Sequence, residues 1–159
     1  MLTDNQIDEF SSTLIVTNQF EELLKVAMWL EQTANCFQLP DSLIFKIDIV
    51  LNEALPNIIS YAYNDSGIHD IVIKLENNDN FVTLEIIDDG IAFDPFSGHE
   101  FSEASSLALA SSSGRGIHLI KSYTDRQQYH RIDNRNIMQV TLIKSSAQNA
   151  QILEMAEQA

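Results

Sequence analysis

Two hydrophobic periods alternate along the chain, and the switches between them lay out its elements. Thr13-Leu14-Ile15-Val16-Thr17 is short and β-branched, the composition of a strand. Asn18 then precedes a run in which Phe20, Leu23, Leu24, Ala27, Leu30 and Ala34 recur at helical spacing. Glu21, three residues after Asn18, completes the pattern of a capping box. Leu39-Pro40-Asp41-Ser42 restarts the chain. Leu43, Ile47, Val50, Leu51, Ala54 and Ile58 carry a second helical stripe to about Tyr63.

Past the turn residues Asn64-Asp65-Ser66-Gly67 the period becomes two. Residues 70–76 and 81–88 read as strands joined over Asn77-Asn78-Asp79-Asn80 into a hairpin. Residues 96–113 break the pattern: they contain seven serines and little periodicity, which predicts a mobile loop of functional use. A helix follows from Gly114 to about Asp125. Residues 127–132 and 137–143 form a last hairpin over Asp133-Asn134-Arg135-Asn136. The order predicts an α+β fold: a two-layer α/β sandwich whose mixed, mainly antiparallel sheet is covered on one face by helices. The strict βα alternation of a doubly wound sheet is absent.

Composition narrows the classes. The 159 residues suit one domain, expected over 1–145, with a tail over 146–159 that frays or forms a short helix carrying Ile152, Leu153 and Met155. No apolar run approaches the ~20 residues that span a bilayer. The start, Met1-Leu2-Thr3-Asp4, lacks the basic and apolar regions of a secretory signal. With Cys36 as the single cysteine, a cytoplasmic location is expected. A net charge of −14, with nine scattered basic side chains, argues against nucleic acid and favours protein partners. His69, His99, His118 and His130 share no ligand spacing and predict no metal site. Cys36 is expected as a small buried hydrophobe, and Trp29 on a helix flank.

Three separated segments carry candidate chemistry. In residues 51–57, Glu53 and Asn57 stand four apart, so a helix sets a carboxylate beside a carboxamide. In residues 86–95, Asp88 and Asp89 end a strand just before Gly90, where backbone can turn sharply. In residues 113–120, Gly114, Arg115 and Gly116 open an apolar helical run, where N–H groups and the helix dipole favour phosphate. Any one of these is commonplace: a polar helix stripe, a strand-closing turn, a hinge. In combination they describe a nucleotide pocket.

On these residues the chain resembles the GHKL superfamily of ATP-binding domains, shared by gyrases, histidine kinases and mismatch-repair ATPases. Within it, Asn52-Glu53-Ala54-Leu55-Pro56-Asn57-Ile58-Ile59 with Tyr61-Ala62-Tyr63, Asp88-Asp89-Gly90-Ile91-Ala92-Phe93-Asp94-Pro95 and Gly114-Arg115-Gly116-Ile117 are similar to bacterial anti-sigma-factor serine kinases of partner-switching modules. The resemblance covers about residues 14–144. It implies Glu53 as catalytic carboxylate and Asn57 as the Mg²⁺-binding asparagine. It implies Asp88 as acceptor for the adenine amino group, with Gly90 and Ala92 letting the base lie close to backbone. Gly114, Arg115 and Gly116 would form the phosphate-side box, and residues 96–113 the lid.

Two departures stand out. Pro56 removes a backbone donor inside the helix and should kink it beside Asn57. Asn136-Ile137 occupies the neighbourhood of a Gly-Thr pair found in many relatives, which predicts one missing contact under the lid.

The resemblance implies an ATP- and Mg²⁺-dependent serine/threonine protein kinase and anti-sigma factor. Its partners would be a sigma factor or other regulator and a small antagonist protein phosphorylated on serine, and it would act as a homodimer. The alternative is an ATP-gated binding switch with little kinase activity. A sensor histidine kinase is disfavoured, because no histidine precedes His69 to serve as phospho-acceptor.

Overall fold

Strands β1 (Asn5–Ile7), β2 (Ser11–Thr17), β3 (Asp70–Asn77), β4 (Phe81–Asp88), β5 (Arg126–Ile132) and β6 (Arg135–Ile143) form one sheet in the order β1-β2-β3-β4-β6-β5. Every pairing is antiparallel. Helices α1 (Leu23–Phe37) and α2 (Asp41–Tyr61) connect β2 to β3, and α3 (Ser106–Tyr123) leads into β5. The computed structural model describes residues 5–7, 10–98 and 106–144 with positions 154, 155, 157 and 158; for 5–7 and 106–114 it describes backbone alone.

Period-two burial explains the layers. Leu14 and Val16 of β2, Ile71, Ile73 and Leu75 of β3, Val82, Leu84 and Ile86 of β4 are buried, while their neighbours in sequence are not. They join Ile47, Val50, Leu51 and Leu55 of α2 in one apolar core. The fold expectation therefore holds: an α+β sandwich with helices on one side of an antiparallel sheet. The last hairpin closes over Asp133 and Asn134 at φ 51° and 61°, the left-handed pair that a tight primed turn requires. Among the described residues, no helix is long and apolar enough to cross a membrane.

Four expectations are corrected. First, a strand over Asn5–Ile7 precedes the expected one and pairs with it. Second, no side chain caps the start of α1; a 3-10 turn, Phe20–Glu22, leads into it. Asn18 instead ties down the loop before β3, donating to the Gly67 carbonyl and accepting from His69 N–H at 2.9 Å. Third, α1 buries Val26, Trp29, Leu30, Thr33, Ala34 and Phe37, leaving Phe20, Leu24 and Ala27 of the expected stripe exposed. Two apolar stripes compete on this helix, and the one with Trp29 and Phe37 removes more apolar area from water. Trp29 is thus a core residue, and Cys36 is exposed. Fourth, residues 106–113 belong to α3 and not to a loop. Leu107-Ala108-Leu109-Ala110 has the helix propensity to extend it; the rest of the expected lid, 99–105, lies outside the described residues. Most of the tail does too, although Glu157 reaches Arg126 at 3.4 Å.

Trp29 docks α1 through a buried polar chain. Its Nε1–H donates to Ser12 Oγ at 2.7 Å, and Ser12 Oγ lies 2.8 Å from Thr33 Oγ1. Truncating the middle member strands both ends in an apolar layer. Ser12→Ala is expected to destabilise the protein by about 1–3 kcal/mol in urea titrations, the cost of buried unpaired polar groups.

Candidate functional site

Strand phase delivers the central carboxylate. Asp88 follows Val82, Leu84 and Ile86 at the core-facing positions of β4, so the same alternation that buries the apolar side chains buries an acid. The β4–β6 register sets Asn136 directly opposite it, where cross-strand side chains meet. Asp88 Oδ1 accepts from Asn136 Nδ2 at 2.9 Å and from Gly90 N–H at 2.9 Å. Burial pushes the Asp88 carboxyl above the ordinary range, while those two bonds and the Arg131 charge pull it down.

Gly90 is required by a close approach. A Cβ there would stand 2.6 Å from both the Ala62 methyl and the Ala62 carbonyl oxygen. That closeness lets Ile91 N–H donate to the Ala62 carbonyl at 2.8 Å, stitching the loop after β4 to the end of α2. Arg131 of β5 adds a bond from Nη1 to the Gly90 carbonyl at 2.9 Å. Nearby, His69 stacks on Tyr63 with ring centroids 4.3 Å apart and contacts Asp65 and Asp89 at 2.8 and 3.1 Å.

The second half of the site lies on α2. The helix runs through Pro56 without interruption. Glu53 and Asn57 both reach Gly116 of α3: a Cβ on that glycine would lie 2.7 Å from Glu53 Oε2 and 3.6 Å from Asn57 Nδ2. No hydrogen bond or ion pair ties Glu53 to another described residue.

Asn57, Asp88, Phe93, Ile117, Tyr129 and Asn136 share one cavity, with mostly apolar walls and few polar groups. Its volume is about 50 Å³, far below the roughly 300–1,000 Å³ of ligand sites.

The structure thus brings together Glu53, Asn57, Asp88, Gly90 and Gly116. Ala92 is exposed and Arg115 points to solvent, outside the cavity. Gly114 and Gly116 lie inside α3, not at its start, so their N–H groups are not the free donors of a helix N-terminus. Asn136, Tyr129 and Arg131 had no assigned role from sequence. For Asn136 the signal was present: it shares the phase of Met138, Val140 and Leu142 in β6, a polar residue at a core-facing position.

The two buried glycines should respond differently to alanine. Gly90→Ala meets backbone and a fixed methyl, and should lower stability by about 1–3 kcal/mol in thermal melts, as overpacking does. Gly116→Ala meets the movable end of Glu53 and should leave the melting temperature nearly unchanged. A pH effect is also expected. The bond to Asp65 foremost, then the bond to Asp89, raises the His69 pKa above its ordinary 6.5. A raised folded value means the clamp is complete below pH 6.5 and is lost as pH rises through the folded value. Exchange protection of residues 64–69, taken relative to the intrinsic rate at each pH, should fall over that window, and His69→Ala should abolish that fall.

Comparison with known proteins agrees with this fold. Residues 16–144 match the histidine kinase-like ATPase domain. The chain is also similar to the serine/threonine-protein kinase BtrW of Bordetella bronchiseptica, 31% identical over 113 residues that span 71% of this chain and 80% of that protein.

Proposed function

The chain belongs to the histidine kinase-like ATPase family, and on that premise we propose that it is an ATP- and Mg²⁺-dependent protein serine/threonine kinase and anti-sigma regulatory factor. The observation that carries the reading is one cleft with Asp88 buried in its wall and Asn57 also lining it, with Glu53 one helical turn before Asn57 and in no hydrogen bond or ion pair with another described residue. Asp88 would recognise adenine through its acceptor oxygen. Asn57 offers a carboxamide oxygen, the hard donor that Mg²⁺ takes alongside phosphate oxygens and water. Bound ATP would supply the phosphoryl group. Glu53 would accept the proton of an incoming serine hydroxyl as the new O–P bond forms and the bond to the diphosphate leaving group breaks.

A partner-switching role fits the surface. Phe20, Leu24 and Met28 are 54%, 70% and 55% exposed on one side of the α1 region, the kind of apolar ridge that a protein partner covers. BtrW is named as a serine/threonine-protein kinase, which supports a protein substrate here: a small antagonist phosphorylated on serine, with a sigma factor or other regulator as the second partner. The reading places the protein in the cytoplasm as a homodimer.

Labelled-phosphate transfer from ATP to serine of a co-purifying antagonist tests the proposal. Glu53→Ala should lower transfer by ~10²–10⁴-fold, the contribution of a general base, with ATP binding retained. Wild-type transfer in that variant would remove Glu53 from the role. Tight ATP binding by the wild type with no phosphoserine on the antagonist would make the protein an ATP-gated switch.

A further inference from the structure

Asn136 stands in a row across three strands, opposite Asp88 of β4 on one side and Arg131 of β5 on the other. Its amide is fully used. Nδ2 donates to Asp88 Oδ1 at 2.9 Å and to the Ile91 carbonyl at 2.8 Å, while Oδ1 accepts from Phe93 N–H at 3.2 Å and from the Tyr129 hydroxyl. The reverse placement would set its carbonyl against two acceptors and its NH₂ against an N–H donor. Only one orientation is allowed. Asp88 Oδ1 is thereby engaged twice, by Asn136 and by Gly90 N–H, and Oδ2 has no donor among the described residues.

Resting on the nucleotide-binding reading above, we propose that Asn136 is the positioning residue that sets base identity: its pinned amide holds Asp88 so that one oxygen is satisfied and the other is left as a pure acceptor. A 6-amino purine presents a donor to that oxygen. A 6-oxo purine presents a carbonyl, and two acceptors facing each other in an apolar slot are strongly disfavoured. The exclusion works only while Asp88 carries no proton, since a neutral carboxyl could turn its hydroxyl toward the carbonyl of guanine. The groups acting on Asp88 are the Asn136 amide, Gly90 N–H, Arg131 of β5 and Asp89 beside it, and the phenols of Tyr63, two residues past α2, and Tyr129 of β5 feel its charge in turn. Burial and Asp89 favour the neutral form; Arg131, Gly90 N–H and the Asn136 amide favour the charged one. Removing the amide tips that balance toward the neutral acid.

The test is calorimetric titration of the full chain with ATP and with GTP, each with Mg²⁺, at pH 6 and pH 8. The wild type should prefer ATP by at least ~10²-fold, as polar purine sites do. Asn136→Leu, apolar and similar in volume, should shrink that ratio at least ten-fold. Asn136→Asp should lose ATP affinity at least ten-fold at pH 8, where two carboxylates repel. It should regain affinity at pH 6, where a shared proton restores a donor to Asp88; the wild type should show no such gain. A merely structural role would not produce this inverted pH response. An unchanged ATP-to-GTP ratio in Asn136→Leu together with an uninverted response in Asn136→Asp overturns the assignment, and if the leucine variant does not fold, the aspartate variant alone decides. A wild type that takes up neither nucleotide removes the nucleotide reading itself, a separate failure.

Discussion

The antiparallel register between β4 and β6 is the constraint on which the site depends. It places Asp88 opposite Asn136 at the helix-facing ends of two strands whose other inward side chains are apolar. A slip of one residue would turn Asp88 outward and bring Ile87 into the core, reversing every inward position of β4. The hydrophobic drive that fixes the register therefore also fixes where the acid stands. The apolar pattern is the larger energy, with Val82, Leu84 and Ile86 all fully buried, and the polar pair rides on it. Burying a carboxylate against its solvation is tolerable because Gly90 N–H, the Asn136 amide and the nearby Arg131 guanidinium each favour its charged form.

Around that pair the structure converges from elements far apart in sequence. The end of α2 approaches the loop after β4 so closely that Gly90 has no room for a side chain, and the Ala62 carbonyl is bonded there by Ile91 N–H. One turn of α2 separates Glu53 from Asn57, and both face Gly116 across the gap to α3.

Much of this was legible in the sequence, and the reasons differ by residue. Asp88 was found because Asp88-Asp89 at a strand end runs into Gly90, and the family resemblance singled out the first of the two acids. Glu53 and Asn57 were found because helical spacing is a local rule. The Asn136 amide was passed over because its partners, Asp88 and Ile91, are more than forty residues away, and pairing of that range is set by sheet topology. The start of α3 was misjudged because serine content suggested a loop, while Leu107 and its neighbours have ample propensity for helix. The stripe on α1 was misassigned because two faces of that helix carry apolar residues, and the choice between them rests on the tertiary burial of Trp29 and Phe37.

The sheet ends on β1 at one margin and on β5 at the other. Among the described residues the first margin is three residues long, and the second carries Arg126 and Arg131 in a seven-residue strand. Short borders and cationic ones make poor templates for an incoming extended peptide. Association by lengthening the sheet is therefore discouraged at both margins, which leaves recognition to side chains on helices and on the uncovered side of the β layer.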